Sequence, residues 1–162
     1  MPTPPIVRGL SLKHKGATLG CGLEDQLAGG SSAISASVLI ADDDPNILRA
    51  LTFLMQREGH VVRTASDGAQ TLAAIAETPP DVLLLDLMMP RGNGYEVCRA
   101  LRASPDYNGV RIIMLTARGG SGDESRGMDA GADAYVTKPF AIGDVVDCVS
   151  AVLARPRLAA RG

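Results

Sequence analysis

The sequence has little of what most extracellular, membrane or nucleotide-dependent classes require. Its three cysteines, Cys21, Cys98 and Cys148, are odd in number and far apart, which fits neither a disulfide framework nor the close ligand pairs of a zinc site. No apolar run approaches the roughly 18 residues needed to span a bilayer. Arg8, Lys13 and Lys15 near the start are not followed by a continuous apolar stretch, which argues against a secretory signal. The expected setting is the reducing cytosol, with no membrane partner. Basic charge is not in excess either. Sixteen Lys and Arg against 18 Asp and Glu leave a net charge of −2, so no global positive field points to direct nucleic-acid binding. Histidine is scarce as well, and the isolation of His14 and His60 speaks against a histidine phosphocarrier.

What is present is one domain's worth of apolar chain, 46% of 162 residues, enough to bury a core without staples. The charge is unevenly spread. Residues 38–154 carry 10 basic and 16 acidic groups, a net −6, while the ends hold the surplus of Lys and Arg. Residues 1–37 combine Pro2, Pro4 and Pro5 with Gly29-Gly30-Ser31-Ser32 and no sustained period, and read as a flexible extension. Residues 155–162 read as a short tail. The domain lies between them, at 38–154.

Within it, strand-like and helix-like patterns alternate. Val38–Ala41 is a short apolar run, and Asp44-Pro45 then offers an N-cap and a first-turn proline. Ile47, Leu48, Leu51, Leu54 and Met55 follow at helical spacing up to Gly59. His60–Ala65 is a second strand and Asp67–Glu77 a second helix, stopped by Pro79-Pro80. Val82–Leu85 is wholly apolar, with a helix from about Asn93 to Arg102, and Arg111–Leu115 is a fourth strand. Ser121-Gly122-Asp123-Glu124 has the form of a capping box for a helix ending at Gly131. Ala134–Val136 is a fifth strand, and Ile142 to Leu153 mark the last helix. Unbroken apolar strands separated by helices predict a parallel α/β sheet covered on both faces. Phe53 and Tyr95 read as core residues.

The polar residues sit at informative places. Asp42 and Asp43 follow the first strand, Asp86 ends the third, Thr116 ends the fourth, and Lys138 follows the fifth. Singly, each has an ordinary explanation as a cap or a solvated side chain. In a parallel sheet, however, all five converge on one edge, where such sheets bind ligands. Three clustered carboxylates repel one another unless a cation compensates. A hard ion with oxygen ligands, Mg²⁺ above all, resolves that repulsion. With a hydroxyl and an ammonium opposite, the pocket suits a phosphoryl group, whose transfer needs charge neutralisation and positioning.

The stretches Val38-Leu39-Ile40-Ala41-Asp42-Asp43-Asp44-Pro45, Leu84-Leu85-Asp86-Leu87-Met88-Met89-Pro90, Ile113-Met114-Leu115-Thr116-Ala117 and Lys138-Pro139-Phe140 together resemble the receiver domain of two-component response regulators. The resemblance covers about residues 38–154. It implies a flavodoxin-like, doubly wound sheet of five strands in the order 2-1-3-4-5 with five helices. It implies that Asp86 accepts a phosphoryl group from a sensor histidine kinase or histidine phosphotransferase. Asp43 matches the direct Mg²⁺ ligand, Asp42 a ligand acting through water, and Met88 a backbone-carbonyl ligand. Thr116 and Lys138 match the pair that grips the phosphoryl oxygens, Tyr135 the aromatic that moves on activation, and Pro139 a proline usually preceded by a cis bond. Such a protein catalyses only its own phosphorylation and dephosphorylation and signals to a downstream protein through the helix of residues 121–131, the fifth strand and the last helix.

Other classes fit less well. A phosphatase of the haloacid dehalogenase type needs a second Asp two residues after its nucleophile, where this chain has Met88. A nucleotide-binding module is disfavoured because Arg118-Gly119-Gly120-Ser121 lacks the Gly-Lys-Ser/Thr ending of a phosphate loop, and no Gly-x-Gly-x-x-Gly follows the first strand. A phosphorylation-independent interaction module, or a receiver cut from a longer regulator with its own output domain, stays open. The resemblance also points to association. Receivers of winged-helix regulators often pair through charges at the residue before the switch aromatic and on the last helix. Here Ala134 precedes Tyr135, and no Lys or Arg occurs from Pro139 to Ala154. Light scattering should therefore find a mainly monomeric unphosphorylated protein; a tight symmetric dimer through that face after beryllofluoride addition would show that apolar contacts alone suffice.

Overall fold

The computed structural model describes residues 34–116 and 130–155. Five parallel strands form one sheet: β1 (Ser37–Ala41), β2 (Val61–Ala65), β3 (Val82–Asp86), β4 (Arg111–Thr116) and β5 (Ala134–Thr137). Their spatial order is β2-β1-β3-β4-β5, the expected doubly wound arrangement. Four α-helices are present among the described residues: α1 (Pro45–Arg57), α2 (Gly68–Glu77), α3 (Gly94–Ala103) and α4 (Ile142–Ala154), with a short 3₁₀ turn at Pro105–Tyr107. The expected helix at 121–131 and its capping box lie outside the described residues, except that Ala130 is helical and Gly131 has φ +102°. The readings of the N-terminal extension and of the tail likewise fall almost wholly outside them.

Strand sequence explains the layering. Alternate residues of a strand face opposite sides, and here both sides are apolar. Leu39, Leu83, Leu85, Ile112 and Met114 point into a core shared with Ile75 of α2 and Val97, Cys98 and Leu101 of α3. Val38, Ile40, Val82, Leu84, Ile113 and Leu115 point the other way, onto Leu51, Leu54 and Met55 of α1 and Val145, Val149 and Val152 of α4. Every residue of β3 is buried. Such a strand has no solvent-facing side, which is why its sequence shows no alternation.

Helix starts are capped by polar side chains, among them Asp44, the cap read from sequence. Asp44, Asp67 and Asn93 accept hydrogen bonds from the backbone N–H groups of Asn46, Gln70 and Glu96, satisfying donors that a helix N-terminus leaves open. Four strands run one residue further than expected, with Ser37, Asp86, Thr116 and Thr137 inside the ladder, while β2 begins at Val61, one residue after the expected His60. One side chain was misassigned. Phe53 is 69% exposed, because α1 turns Leu51, Leu54 and Met55 inward and the residue two after Leu51 falls on the opposite face. Tyr95 does pack, half-buried, against the α2–α3 core.

The turn after β3 is held by close backbone packing. Gly94 donates its N–H to Leu87 O at 3.0 Å, and a Cβ at position 94 would lie 2.6 Å from Asp86 O and 2.9 Å from Leu87 Cα. Only glycine lets α3 start this near the end of β3. Gly94→Ala should therefore cost about 1–3 kcal/mol, the range for overpacking, and displace Asp86; an unchanged urea midpoint would show that the turn yields freely.

Candidate functional site

The C-terminal edge of the sheet collects the expected residues. Asp42 follows β1 and its N–H bonds Ala65 O at 3.1 Å, while Asp42 Oδ1 accepts from Asp44 N at 2.9 Å. Asp86 ends β3, paired in register with Leu115 of β4. Thr116 ends β4 opposite Thr137, so the next residue of the fifth strand's path, Lys138, donates its N–H to Thr116 O. The Lys138–Pro139 peptide is cis, as the resemblance implied. Asp42 is fully buried, Asp86 and Thr116 nearly so, and Asp43 is exposed.

Carboxylate oxygens of Asp42, Asp43 and Asp86 all lie within 4.8 Å of one another. Lys138 joins the cluster from the β5 side. Its Nζ is 2.8 Å from Asp42 Oδ2 and 3.5 Å from Asp86 Oδ1. Sequence reasoning placed this ammonium across the pocket with Thr116; in the structure it lies directly against the two buried carboxylates. The reason is electrostatic, since two buried anions so near each other need a counter-charge. Tyr135, expected to move on activation, is buried within the β3–β4 face of the core. Met88 exposes its side chain, 74% accessible, and its N–H donates to Asp86 Oδ1 at 3.3 Å, a contact that no sequence signal announced.

The electrostatics are lopsided. Burial first, then the neighbouring Asp42 charge, push the Asp86 carboxyl from 3.8 up to about 6, against the opposing pull of Lys138 and the Met88 N–H; the Asp43 side chain adds to the rise. On Lys138 burial works against the charge, but the Asp42 hydrogen bond and both carboxylates together outweigh it and hold the ammonium above its ordinary range. Three anions sharing one ammonium leave room for more positive charge. Their oxygen-only, carboxylate-rich donor set is the chemistry that a hard divalent cation prefers, so the residues fit Mg²⁺.

Beside the carboxylates lies a cavity of about 410 Å³ lined by Ile47 of α1 with Lys138, Pro139 and Phe140. Sequence reasoning did not single it out. Its signal was an apolar residue one turn into α1 and another directly after Lys138-Pro139.

The comparisons with known proteins agree with the geometry. Residues 38–150 match the family described as the response regulator receiver domain. The DNA-binding response regulator MtrA of Mycolicibacterium smegmatis is 45% identical over 118 residues, which cover 73% of this chain and 50% of that protein. The response regulator MprA of Mycobacterium ulcerans is 41% identical over 125 residues, 77% of this chain and 53% of that one. The chain thus spans about half the length of the curated relatives it matches. Among solved structures, the chemotaxis response regulator CheY4 of Vibrio cholerae superposes with a TM-score of 0.70 at 30% identity, covering 73% of this chain and 98% of that one.

The raised Asp86 carboxyl has a measurable consequence. Because its folded value exceeds its unfolded one, the native state holds an extra proton between roughly pH 4 and 6, and stability falls as the pH rises through that window. Asp86→Asn removes this penalty. In chelator-treated buffer the variant should be more stable than the parent at pH 7 by about 2 kcal/mol, with the gain gone at pH 4. Equal denaturation midpoints at pH 7 would mean that Lys138 already compensates Asp86 in full.

Proposed function

The chain belongs to the response regulator receiver family, and from that membership we propose that it is a phosphorylation switch of two-component signalling with Asp86 as the phosphoryl acceptor. The observation that carries the reading is the convergence of Asp42, Asp43 and Asp86 within 4.8 Å, with Lys138 bonded to the two buried carboxylates. Asp42, Asp43, Asp86 and the Met88 carbonyl would hold Mg²⁺, which supplies charge neutralisation for a phosphoryl group in transfer.

The chain's own groups account for the rest. An Asp86 carboxyl at about 6 is mostly ionised at neutral pH and so able to attack. Its oxygen forms the new bond to phosphorus as the bond from phosphorus to the donor histidine nitrogen breaks, the electron pair staying with the imidazole. Lys138 offers its ammonium and Thr116 its hydroxyl to the phosphoryl oxygens that gain charge. Drawing Thr116 inward would open space for Tyr135 and reshape the surface around β5 and α4, where a downstream protein would bind. The cavity lined by Ile47, Lys138, Pro139 and Phe140, which reaches Asp86 only through Lys138, is the approach we assign to a histidine kinase or histidine phosphotransferase. Among the described residues no helix is long and apolar enough to cross a membrane.

The length of the relatives favours a second form of the same reading. Since the matched stretch is half of a DNA-binding regulator, this second form pairs the domain with an output unit, to which direct DNA binding would then belong.

Radiolabelled acetyl phosphate with Mg²⁺ tests the proposal. The parent should take up label, Asp86→Ala should take up none, and Lys138→Ala should bind Mg²⁺ yet label about a hundredfold more slowly, the loss typical of one transition-state donor. Stoichiometric labelling of another residue in Asp86→Ala would overturn it.

A further inference from the structure

At the edge of the sheet opposite Asp86, one arginine ties several chain segments together. Arg102, in the last turn of α3, donates from Nε to Gly131 O at 2.9 Å and from Nη1 to Tyr107 O at 3.2 Å. Its Nη2 reaches Val110 O at 2.9 Å and Asp133 Oδ2 at 2.9 Å. Asp133 Oδ2 also accepts from Ile112 N at 2.7 Å, while Asp133 N donates to Ile112 O at 2.8 Å. The carboxylate therefore gives Ile112 the acceptor that another strand carbonyl would give, one step before the first ladder pair, Ile113 with Ala134. Packing reinforces the bonds. A Cβ at Gly131 would lie 2.6 Å from Arg102 Cγ, so the arginine stem occupies the space of a side chain. Arg155 Nη1 adds a bond to Asp133 O at 3.3 Å.

The position of this cluster matters because of what β5 carries. β5 is a four-residue edge strand whose only strand neighbour among the described residues is β4, and it delivers Tyr135 and Lys138. By contrast Asp42 and Asp43 directly follow β1 and Asp86 ends β3, strands each flanked on both sides. A one-residue slip of a strand turns every side chain to the opposite face, and a short edge strand has few bonds to resist it.

We infer that Arg102 and Asp133 are positioning residues for the phosphoryl chemistry: by locking the entrances of β4 and β5 together they hold Lys138 and Thr116 against the carboxylates of β1 and β3. The inference rests on the function proposed above and assigns to the far edge of the sheet control over one half of the site. The acidic half does not depend on the clamp, so the two halves should respond differently to its loss.

Arg102→Met tests this, at a temperature where circular dichroism shows it folded. Its Mg²⁺ affinity by calorimetry should stay within about twofold of the parent, as for distant independent sites. Its labelling rate from acetyl phosphate should drop about tenfold, because a small misplacement of reacting groups is costly. Arg102→Lys, which keeps the charge beside Asp133, should recover most of that rate. Hydrogen exchange adds a readout free of phosphorylation. The Lys138 amide, bonded to Thr116 O, should exchange about tenfold faster in Arg102→Met while the Leu85 amide of β3 is unaffected. If Arg102→Met does not fold, the same measurements on Asp133→Asn decide. A labelling rate equal to the parent's overturns the inference, as does an equal loss of Mg²⁺ affinity and labelling rate, which marks general loosening. A parent protein that takes no label at Asp86 would instead overturn the receiver reading, and the exchange of the Lys138 amide would still judge the clamp.

Discussion

Two buried carboxylates at the ends of adjacent strands are the constraint on which the rest of this domain turns. Asp42 follows β1 and Asp86 ends β3, and the two strands are hydrogen-bonded neighbours, so the sheet itself forces their charges together. Left alone, such a pair would drive one carboxyl to stay protonated. The Asp86 carboxyl is indeed pushed up to about 6, and it would rise further without Lys138. The ammonium reaches them because β5, at the end of the β3-β4-β5 series, feeds a residue back over the same edge. The fold thus creates an electrostatic debt in the middle of the sheet and settles part of it from the side.

This division of labour gives the site a rigid half and an adjustable half. β1 and β3 are interior strands with apolar contacts on both faces, so any displacement of Asp42 or Asp86 disturbs two layers of close packing. Tyr135 and Lys138 belong to the edge strand β5 and the residue just after it, where fewer contacts oppose movement, and Thr116 ends β4, the buried strand to which β5 pairs. A switch needs this asymmetry. A site uniformly rigid could bind but not transmit, and one uniformly soft would not hold its carboxylates close enough to bind.

Much of this was legible in the sequence, for reasons that differ between elements. The strands were legible because burial on both faces leaves short unbroken apolar runs such as Val82–Leu85. The start of α1 was legible because Asp44 is a capping type at the right offset. The site was legible because parallel strands share one C-terminal edge, so residues 42, 86, 116 and 138 had to meet there. Side-chain direction was less accessible. Phe53 was misassigned because its apolar character was weighed without its phase on α1. The pairing of Lys138 with Asp42 escaped because topology gives the edge a residue reaches, not which neighbour its flexible four-carbon stem selects. Arg102 escaped for another reason: four of its acceptors are distributed over Tyr107, Val110, Gly131 and Asp133, and no linear spacing marks such a hub.

On the proposed chemistry an electrostatic trigger has the right order of magnitude. Converting the Asp86 carboxylate to an acyl phosphate adds roughly one unit of negative charge beside Lys138. At about 4 Å and an effective dielectric near 20, one added charge is worth about 4 kcal/mol of attraction. Carrying a two-state element from 1:99 to 99:1 requires about 5.5 kcal/mol of differential interaction. Only the part of that attraction that differs between the two states counts toward the shift, and a charge-assisted hydrogen bond made by the Thr116 hydroxyl in one state alone would add about 1.5–3 kcal/mol. Lys138 stands on the strand path of β5, the adjustable half of the site, and Thr116 ends β4, to which β5 pairs. The added charge therefore acts on the elements that can move, while the carboxylates that receive it stay fixed by the core.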